Sequence, residues 1–431
     1  MEGLCSLKRK NLIGVLMLTL LALSIPAAAF AEGFGVYEWS AAGTAMGDNY
    51  MFGENDPAVL AYNPAQITKL NGSYLSLGTS WVNAATSVTF KNMGFLNAGR
   101  SDEWDNSYSP AIIPYMYYAQ KAGKNSWWGV AFFARYGNQI EYDDLWPGRY
   151  DTVFTGVKGV TLQPTYAFKI NDKLSAAVGL DINYVQLRMK KDAPIMHEQY
   201  GYLGDLRSDI DGDSTNIGWV ASLMYDFTPK TSAAIVYRAR VKHTMDADSS
   251  FEGILKTGYQ NVSTMAHGTV TLPDSLSLGL GHKFNDRTRM EINATWTNWS
   301  TYNALNLTFD DNPITKESNN PKDWSAAWRI GIGIEHKLSQ KWSILGGYVY
   351  DESPVPDQYM DFTVPTGDRH RGSIGFKYRP NETSELAFAY TAIWAGNRDV
   401  QSHIGGADYA SAYIHDGLTQ VLSIGYTVKL K

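Results

Sequence analysis

Leu174-Ser175-Ala176-Ala177-Val178-Gly179-Leu180-Asp181-Ile182-Asn183-Tyr184 reads as a strand with one greasy face. Leu174, Ala176, Val178, Leu180, Ile182 and Tyr184 share one side of a period-two backbone, against Ser175, Gly179, Asp181 and Asn183 on the other. Trp328, Ile330, Ile332 and Ile334 repeat this against Arg329, Gly331, Gly333 and Glu335. So do Leu418, Leu422, Ile424, Tyr426, Val428 and Leu430 against Thr419, Ser423, Gly425, Thr427 and Lys429. A wall between lipid and a lumen needs this alternation. A large soluble β-sandwich or barrel alternates too, so the connections must decide.

They alternate in length. Short polar turns are centred on Gly123-Lys124-Asn125, Asn171-Asp172, Thr228-Pro229-Lys230, Asn285-Asp286, Ser339-Gln340 and Pro380-Asn381. Long polar loops lie between them, at about 91–107, 140–156, 191–213, 243–265, 310–323, 352–368 and 397–416. Strict alternation puts every short turn on the periplasmic side of an outer membrane and every long loop outside. The expected fold is all-β: a transmembrane antiparallel β-barrel of about 14 strands over 73–431, with both strand termini periplasmic.

Residues 1–31 carry a secretory signal, with Lys8-Arg9-Lys10, an apolar run from Leu12 to Ile25, and Ala29-Phe30-Ala31 as a cleavage site. The mature chain is expected to begin at Glu32 and to lack cysteine, since Cys5 is lost with the signal. No second apolar stretch approaches the roughly 18 residues a membrane helix needs. Aromatics reach 13%, with Trp and Tyr near strand ends, as interfacial girdles require. A net charge of -6 without a basic run in the mature chain argues against a nucleic-acid partner.

Residues 32–72 differ from the rest. Gly33 to Gly47 is small, apolar and glycine-rich, followed by Asn55-Asp56-Pro57-Ala58 and Tyr62-Asn63-Pro64-Ala65, with no period-two pattern. Hung outside the barrel, this apolar segment would be exposed, so it is expected inside as a plug.

Together these N-terminal residues resemble the hatch of the FadL-type outer-membrane transporters of long-chain fatty acids and aromatic hydrocarbons. Trp146-Pro147-Gly148-Arg149-Tyr150, Leu272-Pro273-Asp274-Ser275-Leu276-Ser277-Leu278-Gly279, Trp296-Thr297-Asn298-Trp299-Ser300, Trp328-Arg329-Ile330, and Asp351-Glu352-Ser353-Pro354-Val355-Pro356-Asp357 with Pro365, Asp368 and Arg369 follow in the family's order. The resemblance implies a monomeric barrel of a Gram-negative outer membrane, folded by the barrel assembly machinery, that takes a hydrophobic small molecule from its loops into an apolar pocket. A hatch shift then releases the ligand into outer-membrane lipid through a kink in the third strand. That strand is expected at about 126–139, with Tyr136 and Gly137 at the kink.

Phe34 is a candidate for sealing the pocket, and Asn63, Pro64 and Ala65 for setting the hatch. Arg149 is a candidate for meeting a carboxylate head group bidentately, or for pairing with an acid such as Asp151. Arg188 and Lys190 lie near where a family member holds a carboxylate, although Ala193 stands nearer the matching position. Lys322 is displaced from the family's Trp-Lys-Asp run, which reads Trp324-Ser325-Ala326 here. These departures leave room for a neutral hydrocarbon.

Other constellations are weaker. Asp209-Ile210-Asp211-Gly212-Asp213 resembles a calcium loop, but Gly is misplaced and Val220 stands where the terminal Glu belongs. The histidines lack metal-ligand spacing, so neither metal nor cofactor is expected. A wall enzyme would need Ser beside His, and the nearest pair is His282 and Ser300. A diffusion porin would gain nothing from an apolar plug. The chain ends on Leu430-Lys431, whereas many barrels end on an aromatic that the assembly machinery reads.

Overall fold

In the computed structural model the described residues are 33–430, except Ala98, Thr366, Gly405 and Gly406. The expected signal, 1–31, and Glu32 lie outside them, as does Lys431. Fourteen strands pair in chain order among the described residues: β1 (Ser73–Asn92), β2 (Ala111–Lys121), β3 (Ser126–Glu141), β4 (Phe154–Lys169), β5 (Leu174–His197), β6 (Gly201–Thr228), β7 (Thr231–Arg238), β8 (Ser275–Lys283), β9 (Thr288–Thr297), β10 (Ala327–Lys337), β11 (Trp342–Asp351), β12 (Arg369–Asn381), β13 (Ser384–Ala395) and β14 (Ala407–Leu430). All neighbours are antiparallel, and β14 returns to β1 from Ser73↔Leu430 to Asn92↔Ser411, which closes the barrel. Closure gives every wall strand a partner on both sides, as the hydrocarbon requires, where an unpaired backbone group costs several kcal/mol.

The alternation read from sequence is the alternation of the wall. On β10, Ile330, Ile332 and Ile334 are exposed on the lipid side, while Arg329 and Glu335 are buried inside. On β14, Leu422 and Ile424 face out and Thr419, Ser423 and Thr427 face in. Each of the six predicted turns falls at a junction between consecutive wall strands.

The long connections differ from expectation, because several are themselves strand. β5 and β6 stay paired from Leu174↔Tyr225 up to His197↔Gly201, so most of 191–213 is a hairpin standing above the membrane. The hairpin Val241–Leu255 with Gly258–Leu272 joins β6 along Arg207↔Glu252 to Asp213↔Asp246. Asp209-Ile210-Asp211-Gly212-Asp213 is therefore strand, not a cation loop. Above the bilayer no lipid face demands apolar residues, so the side-chain signal fades while the backbone's need for partners persists.

Residues 33–72 fill the lumen, with a helix α1 (Ala41–Ala45) capped by Ser40, a helix α2 (Val59–Tyr62) and a 3-10 turn Pro64–Lys69. Inward side chains supply their backbone partners: the Ala41 N–H donates to Tyr115 Oη (2.8 Å), the Ala65 N–H to Ser222 Oγ (2.8 Å), and Arg238 donates to Ala61 O (2.6 Å). Those side chains come from β2, β6 and β7. Strand glycines make the room. A Cβ on Gly347 would stand 2.1 Å from the Met46 carbonyl carbon, so only glycine lets β11 lie against the end of α1.

Candidate functional site

Above the luminal segment the loops enclose a cavity of about 510 Å³. Its walls are mainly apolar, with Val185, Leu187, Met245, Phe251, Leu305 and Phe309 among them, and Lys191, Lys322 and Asp151 also line it. Such a concave apolar space with a few polar groups is the usual form of a small-molecule site.

Phe34 lies on the cavity lining and is buried in a ring of aromatics: Trp299 at 4.6 Å, Tyr302 at 5.5 Å, Trp324 at 5.7 Å and Tyr136 at 6.1 Å between centroids. Trp299 comes from the Trp296–Ser300 motif and Trp324 from the run that departs from the family's Trp-Lys-Asp, and neither points to Phe34 in the sequence. Their convergence on Phe34 spans residues nearly 300 positions apart, which no local pattern encodes.

The backbone around Phe34 meets β3. The β2–β3 ladder runs from Lys121↔Trp127 to Met116↔Phe132 and, among the described residues, stops there. Beyond it Pro114 brings no amide hydrogen to β2. The burial of β3 changes at the same place, with Phe133 to Asn138 all buried where a wall strand should alternate. The luminal segment takes over as partner: the Val36 N–H donates to Arg135 O (2.9 Å) and the Gly137 N–H to Phe34 O (2.9 Å), around a bridge between Gly35 and Tyr136. On the β4 side the register slips between Ala134 and Tyr136, so the extra residue is Arg135. Gly137, by contrast, keeps its pairing with Lys158.

The other predicted residues are distributed as follows. Asn63 donates from Nδ2 to Met51 O (3.1 Å), and Pro64 opens the 3-10 turn that presents Ala65 to Ser222, so these residues hold the luminal segment to itself and to β6. Arg149 sits in a 3-10 turn under Trp146, which stacks on Tyr142 at 3.7 Å. A Cβ on Gly148 would meet the Trp146 ring at 2.4 Å, which explains the glycine of that motif. Arg149 pairs with Asp192 (3.3 Å) and Asp205 (3.3 Å), not with Asp151. Arg188 grips Asp209 with two bonds (3.1 and 2.9 Å), and Lys190 reaches the same carboxylate at 3.5 Å. Lys190 and Lys322 line the cavity; Arg149 and Arg188 do not. Lys322 is paired with Asp361. Burial alone would lower the Lys322 pKa, but the Asp361 carboxylate more than offsets that and raises it.

His282 and Ser300 do not meet. His282 bonds Thr231 (2.9 Å) near the periplasmic end of β8, whereas Ser300 follows β9 at the extracellular end and bonds Asn298. Among the described residues no group of His, Cys, Asp and Glu is arranged to hold a metal ion.

A closed barrel with a plugged lumen and an apolar cavity under its loops defines an outer-membrane transporter of hydrophobic compounds. The chain belongs to the family described as outer membrane protein transport protein (OMPP1/FadL/TodX), which matches residues 22–429. It is 22% identical to the long-chain fatty acid transport protein of Escherichia coli K12 over 88% of this chain and 92% of that protein. It is 23% identical to outer membrane protein P1 of Haemophilus influenzae over 78% of this chain and 80% of that one. Among solved structures, a Pseudomonas aeruginosa FadL homologue superposes with a TM-score of 0.83 at 18% identity, covering 93% of this chain and all (100%) of that one. The Pseudomonas putida toluene transporter TodX superposes at 0.69 with 16% identity, covering 93% and 100%. At these identities the superpositions speak for the fold alone. The family consists of transporters and channels, so the wall-enzyme alternative falls.

Proposed function

We propose that this protein takes up long-chain fatty acids by loop capture, transfer into the apolar cavity, and sideways release into the membrane past β3. The observation that carries this reading is the double engagement of Phe34: its ring lies on the cavity lining and its carbonyl holds the β3 edge that β2 leaves. A ligand that displaces the ring also loosens that edge. An acyl chain loses about 0.8 kcal/mol for each methylene exposed to water, so leaving into lipid is far easier than leaving into the periplasm.

In this account residues 32–72 act as the hatch once 1–31 are removed, Tyr136 and Gly137 lie at the exit, and Asn63, Pro64 and Ala65 seat the hatch. The protein works as a monomer inserted by the barrel assembly machinery. Lys191 provides the cationic end of the cavity for a head group, beside the pair that Lys322 makes with Asp361. Neutral aromatic hydrocarbons are the second reading, favoured by the acids already engaging Arg149, Arg188, Lys190 and Lys322. Uptake of radiolabelled oleate and toluene by cells lacking their own transporter separates the two. Oleate accumulating above the empty-vector level supports the first, and toluene alone accumulating replaces it with the second.

A further inference from the structure

Asp151 and Lys191 both line the cavity and, among the described residues, neither makes an ion pair within 4 Å. Arg149, two residues before Asp151, is taken by Asp192 and Asp205, and Lys322 is taken by Asp361. Asp151 Oδ2 is left buried with no hydrogen-bond partner. Lys191 lines the same cavity, and burial holds its ammonium below the usual lysine range against the pull of the Asp151 carboxylate. The groups that act on Asp151 are Asp361 from the loop after β11, Lys322 from the loop before β10, Lys191 from β5 and the Ser402 hydroxyl. Lys190, Asp192 and His403 also line the cavity, the first two engaged by Asp209 and by Arg149 with Arg207.

We infer that Asp151 imposes a proton requirement on carboxylate ligands: a fatty acid binds with one proton shared between its carboxyl group and that of Asp151, and Lys191 balances the single negative charge that remains. A neutral amphiphile of the same chain length binds without the proton. The inference rests on the fatty-acid reading of the cavity. It follows from the placement of an acid with no ion pair on the wall of the cavity beside Lys191, since two carboxylates sharing a site cannot both stay ionised. Burial, with Asp361 close by, already pushes the Asp151 carboxyl up to about 7. Above that pH, Asp151 is ionised in the empty cavity and each bound carboxylate takes up a proton, so affinity falls about tenfold per pH unit. Below it, Asp151 already carries the proton and the affinity levels off.

The test is binding of dodecanoate and of dodecan-1-ol to the protein in lipid nanodiscs, by calorimetry between about pH 6 and 9. The wild type is expected to lose dodecanoate affinity about tenfold per unit above the Asp151 titration, with dodecan-1-ol unaffected. Asp151→Asn, which donates a hydrogen bond at any pH, is expected to abolish the slope and to bind dodecanoate tighter than wild type at the alkaline end. Lys191→Gln is expected to weaken dodecanoate and spare dodecan-1-ol. Heat-modifiable migration on gels reports that each variant remains a folded barrel. A flat dodecanoate profile in the wild type, or an unchanged slope in Asp151→Asn, overturns the inference while leaving the cavity reading intact. If dodecan-1-ol saturates the cavity and dodecanoate does not, the fatty-acid reading falls and this inference with it.

Discussion

The luminal segment is held along its body and at its tip in different ways. Along the body, Arg371, near the extracellular end of β12, pairs with Glu38 (2.6 Å) and Asp48 (2.8 Å), Arg329 on β10 reaches Asp48 at 3.2 Å, and nearer the periplasm Lys283 and Lys337 both engage Glu54. The Phe52 N–H donates to Glu291, which shares Arg289 with Glu335. Cations from β8, β9, β10 and β12 therefore grip it from several sides. At the tip, Gly33 to Tyr37 has two main-chain bonds to β3 and the aromatic contacts of Phe34. Removing one partner of a buried ion pair costs about 3–5 kcal/mol, whereas a hydrogen bond nets about 1 kcal/mol and an aromatic pair about 0.5–1.5 kcal/mol beyond its burial. A ligand can move the tip and leave the body in place. Under the proposed function, that difference favours a sideways exit over one straight into the periplasm.

The strongest challenge to this comparison is Arg371→Met, which leaves Glu38 without its ion partner and Asp48 with Arg329 alone, and is expected to weaken docking of the body by about 3–5 kcal/mol. Conductance in planar bilayers should rise, and an unchanged seal would mean that the ion pairs do not hold the body. Phe34→Ala should come next, with about 3 kcal/mol of packing lost at the tip alone. Its expected signature is altered fatty-acid binding without added conductance; a leak like that of Arg371→Met would erase the distinction between the two regions.

Gly137→Val sharpens the picture at the exit, because a β-branched residue favours continuous strand by up to about 1 kcal/mol. Oleate uptake should fall while the protein's level in the membrane stays normal, and undiminished uptake would remove the exit past β3. The smallest effect is expected from Asn63→Ala, which loses one bond to Met51 within the body of the segment, worth about 1 kcal/mol. Uptake should drop modestly with heat-modifiable migration intact. Loss of the folded barrel would show that Asn63 serves assembly rather than transport.

Within the wall, single positions report their own environment. Ile330, Ile332 and Ile334 are apolar because lipid faces them, and the turn at Asn285-Asp286 is polar because water does. The extracellular hairpins escaped the reading because residues such as Asp209 and Asp211 have water outside them and carry no lipid signature. Tyr136 and Gly137 are the residues the sequence offers for a kink, and the register slip against β4 lies beside them, between Ala134 and Tyr136. Glycine permits a break, but the register is set by which β4 residue lies opposite. Pro114 was the unused signal, since a missing donor on β2 bears on where the ladder to β3 can continue.

By itself, the sequence determined the barrel, its turns and the separation of residues 33–72 from the wall, because lipid, water and tight turns each select residue types locally. Only the tertiary structure decided that Phe34 meets Trp299 and Trp324, that Asp192 and Asp205 rather than Asp151 engage Arg149, and that the luminal segment takes up the edge β2 leaves on β3. A charge or a ring pairs with whatever closure of the barrel brings within a few ångströms, and strands far apart in the chain settle that together.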